Sequence, residues 1–293
     1  MIEQLKKIFP TLCYHQTLPS TLEDTFKWYI TEESHIIGIH QSELEAKDIA
    51  LLNALLRPLH HLFPQMTSEE EKWKGWIFQE EIVPHIAINY RFVYFSIPTK
   101  QIDPQAFKEA LNELFERETI ILWKNEDEGV IIEIQQDGID EELSYKEIID
   151  IFMSDIYVNI KFFVGPFTSD IKGVKQHYEH LITGANIAFK YSDHHVISYL
   201  EAIPYILMEQ IDPTFKKEVQ KVVLQDFQHD TEFIKMIYTF LESNLNLSVA
   251  AKKLYMHRNS LQYRIDKFHE KTGIDVREFH QALTVYLALI STE

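Results

Sequence analysis

The segment LSVAAKKLYMHRNSLQYRIDKFHEKT, Leu247 to Thr272, has the most informative residue pattern in the chain. Its first half has Asn246 or Ser248 as a candidate helix cap, followed by apolar residues at helical spacing: Val249, Ala250, Ala251 and Leu254. A break of three residues follows, Tyr255 to His257. The second half repeats apolar residues four and three positions apart, at Leu261, Ile265 and Phe268. These patterns predict two crossed helices joined by a short turn.

Donor-rich side chains occupy the outer face of this predicted helix pair. The major groove of B-DNA is about 12 Å wide and admits one helix, whose first residues then meet the base edges. The candidate base readers are Arg258, Asn259 and Gln262. Phosphate contacts, which fix register without reading sequence, are expected from Lys252, Lys253, Arg264 and Lys267. The predicted DNA-binding surface is completed by His257, Ser260 and Tyr263.

The charge distribution favours this interpretation. Residues 245–272 hold six lysines and arginines against two acidic residues, about +4. Because the whole chain carries −17, the remainder carries −21. A basic island in so acidic a chain is suited to binding a polyanion. Two alternatives stay open: a helical hairpin in a core with an ordinary solvated face, and a helix-turn-helix used for protein contacts.

The run His257 to Ile265, HRNSLQYRI, resembles the H-R-N-T-L-x-Y-R-L signature that opens the recognition helix in the PucR/CdaR family of bacterial transcriptional regulators. Flanking segments are similar as well: Phe233 to Asn244, Gly273 to Asp275 and Phe279 to Ile290. About 60 residues are covered. Ser260 stands where threonine is commoner, and either hydroxyl can contact a phosphate. The resemblance implies a DNA-binding regulator.

Length and composition limit the remaining classes. A chain of 293 residues is expected to form two or three domains. It contains no run of eighteen apolar residues and no secretory leader, so we expect no membrane partner. The single cysteine, Cys13, excludes an internal disulfide and favours a reducing compartment. We therefore expect a cytoplasmic protein.

The N-terminal region, residues 1–78, is predicted to be a small α/β unit. A short helix comes first, and residues 26–30 and 35–39 are then predicted to form two short strands. Ser42 is expected to cap a helix beginning at Glu43 and ending near Pro58. Nothing in this region identifies a ligand.

The middle region, residues 79–200, shows the order β-α-β-β-α-β-α-β. This order predicts a ferredoxin-like palm, and it loosely resembles the degenerate GGDEF-like domain that precedes the helix-turn-helix in PucR/CdaR regulators. A helical connector, residues 201–230, and an all-α DNA-binding domain, residues 231–293, complete the prediction. The expected fold class is thus an α+β multidomain protein.

An enzyme built on the palm is the alternative function. Palm cyclases hold two divalent cations on carboxylates of the first strand and the hairpin. Here the hairpin, residues 125–129, is acidic but lacks paired glycines, and the first strand is followed by no carboxylate before Asp103. The histidines offer only pairs, such as His177 with His180, whereas zinc needs three or four ligands. We expect no catalytic residues, metal site or cofactor.

These patterns together predict a sequence-specific transcriptional regulator whose partner is double-stranded DNA. A homodimer or higher homo-oligomer would place two recognition helices about 34 Å apart, in successive major-groove faces. A small-molecule effector bound upstream would change their spacing, which couples two sites.

Overall fold

The computed structural model describes residues 2–16, 23, 25–31, 33, 35–59, 63–79, 81–83, 88–98, 101–135 and 144–291. The chain divides into two compact units, Met1–Glu201 and Ala202–Glu293. The first unit contains two sheets with helices, and the second is helical. The mixed α+β class with a helical C-terminal region is confirmed.

The N-terminal sheet has the order β1-β3-β2-β4, and its neighbouring strands are antiparallel. Its strands are β1 (Cys13–His15), β2 (Phe26–Ile30), β3 (Ile36–His40) and β4 (Arg57–Pro58). The accompanying helices are α1 (Ile2–Ile8) and α2 (Ala46–Leu55). The predicted strand pair is confirmed, whereas β1 and β4 were not expected because three and two residues leave little periodicity to detect.

The expected Ser42 cap is wrong. Ser42 lies in a single 3₁₀ turn, Gln41–Glu43, and α2 begins three residues later. Glu45 caps α2 in a capping box, in which its side chain accepts from the backbone of Asp48 and the Asp48 side chain accepts from the backbone of Glu45. The reciprocal bonds satisfy two N–H groups of the first turn, more than a single serine hydroxyl can do.

The second sheet has the order β6-β7-β5-β8-β9. Its strands are β5 (Tyr90–Ser96), β6 (Ile120–Trp123), β7 (Glu128–Ile134), β8 (Lys161–Val164) and β9 (Val196–Ser198). All neighbours pair antiparallel except β8 and β9, which are parallel. The associated helices are α3 (Ser68–Phe78), α4 (Pro104–Phe115), α5 (Tyr145–Ile151) and α6 (Val174–Tyr191). The predicted element order of the middle region is confirmed. The helix α3, which precedes this region in the chain, was not expected.

Alternating side chains of β5 pack on the two faces of this sheet. Phe95 contacts Phe107 of α4, with ring centroids 4.8 Å apart. On the opposite face Phe92 lies against Trp73 of α3 and Tyr178 of α6, at centroid distances of 6.0 and 5.9 Å. Helices thus cover both faces, which explains why the central strands are apolar on nearly every residue.

The second unit packs helices around one core. After α7 (Tyr199–Glu209), which contains the boundary between the units, come α8 (Pro213–Leu224), α9 (Thr231–Leu241), α10 (Leu247–Lys253), α11 (Arg258–Thr272) and α12 (Phe279–Ile290). Fully buried core side chains come from all five helices α8 to α12, and they include Leu224, Phe240, Ala250, Leu261, Ile265, Phe268 and Val285. Ala250, Ala251 and Leu254 of the first predicted stripe and the whole second stripe therefore face this core, whereas Val249, which was predicted in the first stripe, is 44% exposed.

A candidate DNA-binding surface

The turn between α10 and α11 lies where the sequence predicts it, but it has four residues, 254–257, where three were expected. Asn246 caps α10, and its Oδ1 accepts from the backbone N–H groups of Ser248 and Val249 at 3.0 and 3.1 Å. The helix ends at Lys253, and Tyr255 then takes a left-handed conformation with φ of 52°. This reversal lets the chain leave α10 and begin α11 within four residues.

His257 is the N-cap of α11. Its Nδ1 accepts from the Asn259 backbone N–H at 3.2 Å. This satisfies one of the N–H groups that the first turn of a helix leaves without an intrahelical partner. His257 was predicted as a DNA contact, and the structure gives it a role in starting the helix as well.

The burial of α11 separates an inner face from an outer one. Leu261, Ile265 and Phe268 are fully buried and hold the helix against the core. The predicted contact residues that are exposed are Lys252, Lys253, His257, Arg258, Asn259, Ser260, Tyr263 and Lys267. Among the described residues, neither the Arg258 guanidinium nor the Asn259 amide group has a hydrogen-bonding or ionic partner. These two side chains are therefore available at the start of the helix.

Arg264, by contrast, is already paired. Its Nη1 donates to Glu232 Oε1 of α9 at 2.8 Å, and the Arg264 side chain is 37% exposed. Both residues line a shallow groove of about 540 Å³ beside α11, together with Asn259, Tyr263 and Lys267. A phosphate that binds Arg264 must compete with the Glu232 carboxylate.

Gln262 is also engaged. Its Nε2 donates to Asp266 Oδ1 at 2.9 Å, one turn further along α11. The same carboxylate oxygen accepts from Arg277 Nη1 at 3.0 Å, and Arg277 also donates to Asp275 from its Nε at 2.7 Å. This chain of bonds holds Gln262 half-buried. To read an adenine through its amide, Gln262 would have to share or break the bond to Asp266.

Some features of this surface were not predicted. Tyr255 is 99% exposed in the turn, and its only sequence signal is a large aromatic residue between two helical patterns. The contact between Arg264 and Glu232 had no sequence signal, since the two residues are 32 positions apart and meet only through the packing of α9 on α11.

In the part of the chain that the structure describes, no helix has both the length and the apolar content needed to cross a membrane.

Comparison with known proteins also identifies a helix-turn-helix in this part of the chain. Residues 233–291 match the model of the PucR C-terminal helix-turn-helix domain. The chain is 29% identical over 269 residues to YxkF, an uncharacterised protein of Bacillus subtilis (strain 168), and the match covers 88% of each protein. It is 32% identical over 114 residues to the proline-responsive transcriptional activator PutR of the same organism, covering 37% of this chain and 26% of PutR.

A third relative is the carbohydrate diacid regulator of Escherichia coli (strain K12). It is 33% identical over 55 residues, which are 19% of this chain and 15% of that regulator. The similarity to the two named regulators is thus restricted to a part of each. Residues 233–291 form a PucR-type C-terminal helix-turn-helix domain, and the chain is a DNA-binding transcriptional regulator with relatives in the PucR/CdaR family.

Proposed function

We propose that the exposed start of α11 enters the major groove and reads the operator. The observation that carries this proposal is the contrast between its faces: Leu261, Ile265 and Phe268 are buried, while Arg258 and Asn259 are exposed at the N-terminal end. Arg258 suits the O6 and N7 acceptors of guanine, and Asn259 suits adenine. The helix N-terminus adds a positive partial charge on the same side.

The flanking cations are assigned to the phosphates. Lys252 and Lys253 end α10, and Lys267 lies on α11 two turns after Asn259; all three are exposed. Backbone contacts of this kind orient a recognition helix and make the affinity depend on salt. Ser260 and Tyr263, which are exposed on α11, are proposed as further contacts. Gln262 and Arg264 join the contact only after exchanging their present partners.

We infer that the regulator binds as a homodimer or higher homo-oligomer, with recognition helices about 34 Å apart. Exposed apolar side chains in the second unit offer candidate contacts between copies: Leu207 at 60% exposure, Phe215 at 54% and Val222 at 64%. Sedimentation of the full chain, compared with a Phe215→Glu and Val222→Glu double variant, tests this inference. A wild-type monomer that binds a single half-site would contradict it.

For the middle sheet we propose a degenerate GGDEF-like palm without catalysis, within the four-part division 1–78, 79–200, 201–230 and 231–293. The order β8-β5-β7-β6, with helices between β5 and β6 and between β7 and β8, supports a ferredoxin-like arrangement. Two hairpin carboxylates are in ion pairs: Glu126 with Arg57 at 2.7 Å and Glu128 with Lys124 at 2.8 Å. Their charge is thereby balanced by protein cations. Incubation with Mn²⁺ and ATP or GTP would contradict this proposal if a cyclised product formed.

We also propose that the protein works in the cytoplasm and that a small-molecule effector controls its DNA affinity. A protein that acts on bacterial DNA works in the cytoplasm, and the single cysteine fits a reducing compartment. An effector bound in the first unit would change DNA affinity, and it would have to bind the two DNA-binding states unequally. An effector with the same affinity for the DNA-bound and free protein would contradict this control.

The decisive experiment selects genomic fragments on the full chain and then measures Kd on the selected operator over about 50 to 200 mM salt. Arg258→Ala is expected to cost about 1–3 kcal/mol and to relax preference at one base pair. Lys267→Ala should weaken binding to all DNA sequences alike and reduce the slope of log affinity against log salt by about one. Lys217→Ala, an exposed lysine on α8, is the matched control. Unchanged affinity and preference in Arg258→Ala would contradict the proposal.

A further inference from the structure

The first unit contains a cleft of about 760 Å³ that the DNA-binding function does not use. One wall comes from β2 and α2, through Trp28 and Ile49, and the other from α3, β6 and α6, through Lys74, Trp123 and Ile182. This volume falls within the range of small-molecule sites, about 300–1,000 Å³. The cleft is therefore large enough for a ligand of one or two rings.

Aromatic side chains form much of the lining. Phe63 and Trp123 have ring centroids 5.8 Å apart, and Phe78 and Tyr178 are at 5.1 Å. The Trp28 indole N–H already donates to the Glu23 carbonyl at 3.1 Å, so this ring offers the cleft mainly its apolar faces. Such surfaces favour a flat apolar ligand, because aromatic pairs gain about 0.5–1.5 kcal/mol beyond the area they bury.

Several charged groups that line the cleft are neutralised by protein partners. Glu70 binds the Lys108 ammonium at 2.8 Å and also accepts from the Ile121 backbone N–H. Lys124 donates to Glu128 at 2.8 Å. Two cations remain, Lys27 and Lys74, against Glu23, which is exposed.

Lys74 is the cation that specifies the ligand charge. It is half-buried on α3, and no hydrogen bond or ion pair joins its ammonium to any described residue. Burial lowers the pKa of Lys74, and the nearby Glu71 carboxylate opposes this shift only in part. A desolvated ammonium beside aromatic walls gains most from a carboxylate, which restores the lost solvation by a charged hydrogen bond.

We propose that this cleft binds a small aromatic monocarboxylate, with Lys74 pairing with the carboxylate and Trp28 and Trp123 covering the ring. The inference rests on the proposed control by an effector and names its chemical class. It requires only groups of the first unit. Its failure is therefore distinguishable from a failure of DNA binding, which depends on the second unit.

Calorimetric titration of the full chain with benzoate, phenylacetate, indole-3-acetate and 2-naphthoate tests the site, with 2-naphthamide as the neutral analogue. At least one carboxylate should bind saturably, and 2-naphthamide should bind at least tenfold more weakly than 2-naphthoate. Lys74→Met should reduce the carboxylate affinity to that of the amide, while Lys74→Arg should preserve most of it. Trp123→Leu should weaken acid and amide alike.

Lys72→Met is the matched control, because Lys72 lies on the same helix but pairs with Glu69 at 3.2 Å and does not line the cleft. It should leave every affinity unchanged. No saturable binding of the four acids up to millimolar concentration, or equal binding of acid and amide, would overturn the proposal. So would unaltered carboxylate affinity in Lys74→Met.

The same titrations in the presence of operator DNA test the effector role. A carboxylate that regulates must change the operator Kd, and the operator must change the carboxylate Kd by the same factor. A twofold or larger reciprocal change is expected. Binding without any change in operator affinity would overturn the effector role, whereas loss of operator binding in Arg258→Ala with intact carboxylate binding would confirm that the two sites are separate.

Discussion

The Arg264 guanidinium donates to the Glu232 carboxylate at 2.8 Å, so one cation of the predicted DNA surface is held by a residue of α9. Glu232→Gln removes the competing charge and is expected to raise DNA affinity a few-fold at low salt. The salt slope should steepen by about one, because Arg264 becomes free to contact a phosphate.

Two further variants test whether the effect of Glu232→Gln comes from the loss of one negative charge or from the release of Arg264. Glu218→Gln removes one negative charge from an exposed site on α8 and should have a smaller effect. In an Arg264→Ala background, Glu232→Gln should no longer strengthen binding, since the two changes act on one pair. Equal effects of Glu232→Gln with and without Arg264 would show that Arg264 does not contact DNA.

The His257 cap gives a second prediction. His257→Ala removes the acceptor for the Asn259 N–H and should destabilise the start of α11 by about 1 kcal/mol. His257→Asn supplies another good capping oxygen and should keep both the hydrogen-exchange protection of the first turn and the DNA affinity. If Asn behaves like Ala on DNA while protecting the helix, the imidazole itself contacts DNA.

The buried Glu70–Lys108 pair gives a third prediction. Both side chains are nearly inaccessible, at 3% and 7% exposure. Glu70→Gln or Lys108→Met alone should cost about 3–5 kcal/mol, because each leaves a buried charge without its partner. The double variant should recover part of this loss. Urea unfolding followed by tryptophan fluorescence measures the free energy of unfolding, since all four tryptophans lie in the first unit.

The exposed pair Lys72 and Glu69 on α3 is the comparison for this cycle, with side chains 40% and 50% exposed. Removing either partner should cost less than about 1 kcal/mol. A similar cost for the buried and exposed pairs would show that the Glu70–Lys108 bond does not organise the first unit.

Asp275 gives a prediction on pH. Hydrogen bonds from the Arg277 side chain lower the pKa of Asp275 in the folded chain. A lowered pKa stabilises the fold above the unfolded value of about 3.9, and this contribution disappears as the pH falls through the folded value. Asp275→Asn should therefore reduce stability by less than about 1 kcal/mol at neutral pH, and the difference from wild type should vanish in acid.

Thermal unfolding followed by circular dichroism at several pH values measures this difference. Asp226→Asn is the control, because Asp226 is exposed and its carboxylate pairs with no described residue, and it should show a flat difference. A difference for Asp275→Asn that persists at the lowest pH would contradict the ion-pair explanation.

The sequence was informative where periodicity and local chemistry determine the structure. The apolar spacing of Leu261, Ile265 and Phe268 predicted both the helix and its buried face. The middle strands were recognisable as nearly continuous apolar runs. By contrast, α3 begins in the acidic run after Thr67, where the capping box of Thr67 and Glu70 was the signal that could have identified it.

Tertiary pairing was the part that the sequence could not supply. Arg264 and Gln262 look like free donors in the linear sequence, yet Glu232 and Asp266 bind them in the folded chain. The carboxylate of Glu232 comes within hydrogen-bonding distance of Arg264 only when α9 and α11 pack on the same core. The cleft around Lys74 likewise forms from elements that are far apart in sequence, such as β2, α3 and α6, so no local pattern marks it.

The most direct test of base reading by Arg258 replaces single guanines of the selected operator by 7-deazaguanine, which lacks the N7 acceptor. Base reading by Arg258 predicts one position per half-site at which this replacement costs the wild type about 1–3 kcal/mol and costs Arg258→Ala almost nothing. If the replacement profile of Arg258→Ala matches that of the wild type at every guanine, Arg258 does not read a base and α11 does not recognise the operator through this residue.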